Sequence, residues 1–154
     1  MQIEKFERLP LHFIDTNVIV EALTDTKLGT ICSDYLNRVG YKYRGILPLS
    51  VLGEFFLITF RDIEETSIRE LGFRFIERFI ERNKIGFSSL KYESLEIIDK
   101  IKGIDARIDD TDAIHLANCI QDKGNTFVTF DEKFFRSIKL EKEFSIRIIH
   151  PRNL

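Results

Sequence analysis

Short apolar runs alternate with longer stretches in which apolar residues recur every three or four positions, and this alternation continues along the whole chain. The run His12-Phe13-Ile14 predicts a strand over 12–14, with an extension back to residue 9 interrupted by Pro10. A helix is expected after Thr16, and a second over 29–39 closed by Gly40. Residues 45–47 read as the next strand, and Ser50 as the N-cap of the helix that carries Glu54. Ser67 and Glu70 have capping-box spacing, and Ile68, Leu71, Phe75, Ile76, Phe79 and Ile80 mark one helical stripe through Arg82. A short strand over 85–87, a helix over 91–101, and a helix capped by Asp109 or Asp110 follow, with Gly124 as the residue just past its end. The remainder reads as a strand over 126–130, a short helix over 132–138 and a strand over 144–149 stopped by Pro151.

Strands that alternate with helices bury both faces of a mostly parallel sheet. The predicted fold is therefore α/β: a three-layer α/β/α, Rossmann-like arrangement. No repeat, linker or low-complexity tract divides the chain, so a single domain over 1–154 is expected. At 44% hydrophobic and 31% charged residues the composition is that of a soluble globular protein. The apolar stretch over 55–60 meets Arg61 and Asp62 far short of a bilayer span, and the N-terminus lacks the apolar core of a signal peptide. No membrane association is expected, and the expected location is cytoplasmic. Cys32 and Cys119 have no CxxC partner and read as small buried hydrophobes. The net charge of -2 neither suggests nor excludes a nucleic-acid partner, because an acidic pocket can coexist with a basic rim.

The candidate chemistry lies in four acids beside predicted element boundaries: Asp15, Glu54, Asp112 and Asp131. In an open parallel sheet such positions converge beyond the carboxyl ends of the strands. Carboxylates gathered there repel one another and stay ionised when a cation neutralises them. Oxygen ligands suit Mg²⁺ or Mn²⁺, one ion or two, and an ion that keeps bound water can hydrolyse a phosphodiester. No Cys or Ser nucleophile with a neighbouring His stands out, so covalent catalysis is not supported.

Four motifs occur in order: Ile14-Asp15-Thr16-Asn17-Val18-Ile19, Glu54 opening a helix, Asp112-Ala113-Ile114-His115-Leu116-Ala117, and Thr129-Phe130-Asp131-Glu132-Lys133-Phe134. Together they resemble the PIN-domain ribonucleases, most nearly their VapC-like toxin branch, over about residues 11–150. The resemblance implies that Asp15, Asp112 and Asp131 bind the metal and that Glu54 completes the site, directly or through a water. It implies that Thr16 and Asn17 orient Asp15, and that Thr129 does the same near Asp131. It further implies an RNA substrate, an antitoxin partner and a homodimer.

Each acid also has a plain structural reading, because Asp and Glu favour caps and first helical turns. His115 shares a helix face with Asp112 and reads as a packed, hydrogen-bonded residue. Arg61, Arg107, Lys133 and Arg136 are the candidate phosphate contacts. Two other functions remain open from the sequence: a silent PIN-like binding or scaffold module, and a haloacid-dehalogenase-like phosphatase. The second needs an acid two residues beyond Asp15, where this chain has Asn17.

Overall fold

A computed structural model describes residues 2–154. In chain order the elements are α1 (Gln2–Glu7), β1 (Leu11–Ile14), α2 (Thr16–Glu21), α3 (Lys27–Leu36), β2 (Arg44–Pro48), α4 (Leu49–Asp62), α5 (Thr66–Arg82) and β3 (Gly86–Ser88). Then come α6 (Ser94–Ile104), α7 (Asp110–Gln121), β4 (Thr126–Val128), α8 (Glu132–Phe135), α9 (Ile138–Phe144), β5 (Arg147–Ile149) and a 3₁₀ turn (Pro151–Asn153). The strands form one five-stranded sheet in the order β3-β2-β1-β4-β5. Every ladder in it is parallel.

The pleat explains the three layers. Ile14, Leu47 and Val128 point into one core with Val18, Val51, Phe55 and Ile76 from α2, α4 and α5. Phe13 and Phe127 point into the opposite core with Leu116, Phe134 and Leu140 from α7, α8 and α9. Successive strand residues serve opposite faces, which is why these strands read as continuous apolar runs rather than alternating ones. From β1 the chain first builds outward to β2 and β3, then crosses back to lay β4 on β1's other side. That reversal makes the carboxyl ends of β1 and β4 the place where connections diverge and a crevice opens.

Several boundaries differ from the sequence reading. Ser50 is not an N-cap: α4 begins at Leu49 after Pro48, and the Ser50 hydroxyl is buried without a partner. Ser67 lies inside α5, whose N-cap is Glu65, and its hydroxyl bonds to the Glu65 carboxylate instead of closing a box with Glu70. The helix expected over 132–138 breaks at Ser137, and the predicted strand over 144–149 is preceded by α9 and shortened to β5. Ser145 adopts a left-handed conformation that ends α9.

The end of α7 is also built differently. Lys123 takes the left-handed conformation, with φ 56°. Gly124 serves close approach: a Cβ there would lie 2.4 Å from Cε2 of Phe13. Its N–H donates to the Cys119 carbonyl at 2.8 Å, which satisfies one of the helix's last carbonyls.

Candidate active site

Asp15 follows β1 and caps α2, accepting a hydrogen bond from the Thr16 N–H at 2.8 Å through Oδ1. It is almost fully buried, so its remaining lone pairs need partners. Thr129, one residue beyond β4, donates its hydroxyl to Oδ2 at 2.7 Å. The same hydroxyl accepts from the Asn17 side chain at 3.0 Å and from the Asp131 N–H at 3.1 Å. One threonine oxygen thus ties the ends of both central strands together.

His115 enters from α7, completely buried. Its Nδ1 lies 3.2 Å from Oδ1 of Asp15, and because a carboxylate only accepts, this nitrogen carries the proton. Its Nε2 has no hydrogen-bond partner and stands 3.7 Å from the Glu54 carboxylate on α4. Burial by itself lowers a histidine's pKa. Here the Asp15 hydrogen bond and the charges of Asp15, Glu54 and Asp112 outweigh it and raise the value.

Asp112 sits in the first turn of α7, behind the N-cap Asp109, which accepts its backbone N–H at 2.9 Å. Its carboxyl is pushed up to about 6 by burial, with Asp15 and Asp109 adding to the rise against the pull of Lys133. The Lys133 ammonium lies 2.7 Å from Asp112, 3.3 Å from Asp109 and 3.4 Å from Asp131. Asp131 caps α8 through the Lys133 N–H at 2.9 Å. Burial works against the Asp109 carboxylate, yet its bonds to the Asp112 N–H and to Lys133 leave its pKa low.

Asp15, Glu54, Asp112 and Asp131 all line one cleft of about 240 Å³, together with Thr16, Asn17 and Glu21. Asp15, Asp112 and His115 each offer a ligand atom within 4.8 Å of the others'. Three buried polar atoms among these residues lack partners: Thr16 Oγ1, Asn17 Oδ1 and His115 Nε2. Unsatisfied polar atoms around a concentration of carboxylate oxygens fit a hard divalent cation, whose bound waters would serve them. A protein cation, Lys133, already lies against two of the four acids.

The other candidate cations are placed differently. Arg61 lines a groove beside Glu54 but is exposed and paired with Asp62. Arg107 makes a two-pronged bond to Asp105, and Arg136 pairs with Glu132 one helical turn earlier. Lys133 was expected as a phosphate contact at the rim; it stands among the acids. His115 is packed and hydrogen-bonded as expected, but its partner is Asp15, which no spacing along the chain could reveal. Glu21, missed altogether, reaches the cleft because it follows Asn17 by four residues on α2.

The family model of the PIN domain matches residues 12–139. The chain belongs to the PIN-domain family. No curated protein matches this PIN domain in sequence. Among solved structures it shares its fold with VapBC2 from Rickettsia felis bound to a DNA fragment from their promoter. There the TM-score is 0.67 at 14% identity, over 91% of this chain and 98% of that one. FitAcB from Neisseria gonorrhoeae gives 0.66 at 16% identity, over 93% and 99%. DNA-bound VapBC from Salmonella typhimurium gives 0.64 at 16%, again over 93% and 99%. At these identities the likeness is one of fold.

Proposed function

We propose that this PIN domain is a metal-dependent endoribonuclease and the toxin of a type II toxin–antitoxin pair. The observation that carries the reading is the convergence of Asp15, Glu54, Asp112 and Asp131 on one cleft at the reversal point of the sheet. Asp15, Asp112 and Asp131 are the ligands for Mg²⁺ or Mn²⁺, and Glu54 completes the set directly or through a water. The chemistry an ion supplies there is a lowered pKa for its water and neutralisation of charge growing on the phosphoryl and leaving oxygens. Thr129 and the Thr16 N–H hold the Asp15 oxygens in place, which fixes the geometry before substrate arrives. Lys133 offers its ammonium to a phosphate oxygen at the same mouth.

A silent binding module has no need to gather four acids around unpartnered polar atoms, so the enzymatic reading is favoured. The phosphatase alternative lacks its second acid, because Asn17 donates to Thr129 instead. Among the described residues no helix is long and apolar enough to cross a membrane. A cytoplasmic location, an antitoxin partner and a homodimer complete the proposal; the shared fold with VapBC and FitAB complexes supports the partner.

The deciding experiment incubates the protein and its Asp112→Asn variant with a mixed RNA pool, with and without Mn²⁺ or Mg²⁺. Cleavage that requires metal and disappears in the variant is expected. Equal cleavage by both proteins, or none by the native chain with either metal, refutes the assignment.

A further inference from the structure

A second, larger cleft of about 790 Å³ opens beside the acids and shares Asn17, Phe130 and Asp131 with theirs. Its far wall holds Phe135, His150 and Arg152. That volume lies within the range of small-ligand pockets, roughly 300–1,000 Å³. The rings sit loosely against one another. The Phe135 and His150 centroids are 6.2 Å apart with their planes 29° from parallel, and Phe130 lies 6.3 Å from His150 at 42°. Phe135 is 37% exposed, whereas Phe134 beside it is 1% exposed and fills the core. Core packing therefore accounts for one phenylalanine of this pair and leaves the other facing solvent.

The polar groups of the wall are set as well. The Arg152 N–H donates to His150 Nδ1 at 3.0 Å, which assigns Nδ1 as acceptor and leaves Nε2 to carry the ring proton. Pro151 between them is buried and anchors the turn. Arg152 is exposed and has no acidic partner among the described residues, unlike Arg61, Arg107 and Arg136. A cleft with a partly exposed phenylalanine ring, a ring N–H and a free guanidinium, continuous with the acidic cleft, has the chemistry to hold a nucleotide and not a purely apolar ligand.

We infer that this cleft receives an unpaired nucleobase of the RNA adjacent to the bond being cut, stacked against Phe135 and His150, with Arg152 holding a flanking phosphate. The inference rests on the nuclease reading and adds to it a base-binding subsite built by this chain's own residues. Stacking tolerates any base, since each has a π face, so the cleft adds affinity more than sequence selectivity.

The test compares two RNAs of one sequence, cut by the native protein at a mapped bond. One is intact, and the other carries an abasic residue beside that bond. For the native protein kcat/KM is expected to fall roughly tenfold on the abasic RNA, mainly through KM. Phe135→Ala should lose a similar factor on the intact RNA and nothing further on the abasic one, while Phe135→Tyr, which keeps the ring, restores the difference. Arg152→Ala should weaken both RNAs equally and lower the salt dependence of KM by about one counter-ion. Equal cutting of the two RNAs by the native protein overturns the inference. So does a Phe135→Ala defect that is the same on both, which assigns the ring to packing or to a protein partner. In either case the metal-dependent nuclease stands. If the native protein cuts no RNA at all, the nuclease reading falls and this inference falls with it.

Discussion

His12 and His115 are both buried, and both make their hydrogen bond through Nδ1, yet the fold moves their pKa values in opposite directions. His12 stacks on Tyr43 at 4.1 Å between centroids and shares a hydrogen bond with the Tyr35 hydroxyl. Burial, reinforced by the charge of Arg147, pulls its pKa down to about 4. His115 experiences the same desolvation but faces Asp15, Glu54 and Asp112, and its pKa rises. A histidine in this protein is therefore read by its acidic neighbours and not by its burial. Only one end of β1 is electrically prepared for chemistry: the carboxyl end, where Asp15 is held.

The largest expected effect comes from erasing that contrast. Asp15→Asn should reduce metal-dependent cleavage by more than about 100-fold, because it removes a proposed ligand and not merely a support. The fold should survive, since the Asn amide oxygen can still accept from the Thr16 N–H. In a ring-proton titration by NMR, His115 should then drop towards the behaviour of His12. A His115 value that stayed raised would mean that Glu54 and Asp112 alone control it.

Next in size is the acid response of His12. Unfolded, it titrates near 6.5, and folded at about 4, so below 6.5 the unfolded chain binds the extra proton. Its stability contribution is intact above 6.5, declines as pH falls from 6.5 towards 4, and is constant below. The loss amounts to roughly 3 kcal/mol at most. Urea unfolding at pH 7.5 and 4.5 should show a smaller difference for His12→Leu than for the native chain; an unchanged difference would place the acid response elsewhere.

Thr129→Val should follow, costing roughly 1–3 kcal/mol, because it strands a buried carboxylate oxygen and two donors at once. For a chain of this size each kcal/mol lowers the melting midpoint by about 2–4 °C. Melting without metal measures it, and a midpoint within one degree of native would show that water replaces the hydroxyl. Smallest is Arg61→Ala. Its pair with Asp62 is exposed on both sides, so the melting midpoint should stay within about one degree of native. A larger fall would give Arg61 a structural role that its surroundings do not show.

The layered α/β architecture was legible because parallel strands buried on both faces leave unmistakable apolar runs, and Phe13-Ile14 serves one core with each residue. Three of the acids were legible for a similar reason, since Asp15 and Asp131 cap helices and Asp112 sits in a first turn; Glu54, expected to open its helix, lies instead in the second turn of α4. What could not be read was contact across the sheet. Nothing local ties Thr129 to Asp15, or His115 to Asp15, since these bonds span more than a hundred residues of chain or nearly so. Lys133 read as a rim cation because sequence places it next to Asp131 but cannot show Asp112 and Asp109 arriving from α7. The helix α9 was hidden by its length: a two-turn segment rests on Leu140 in the core more than on its own propensity.

The bare α-carbon of Gly124 has a reach well beyond its own turn. Since any side chain there would run into the ring of Phe13, the chain leaving α7 can press directly against β1. Asp112 rides at the far end of that twelve-residue helix, and Asp131 lies just past the strand that begins two residues after the glycine. Position 124 is thus the pivot of a lever with a proposed metal ligand on either arm. A single methyl group added at the pivot would tilt the lever, and the aperture between the two carboxylates would widen or close without either of them being touched.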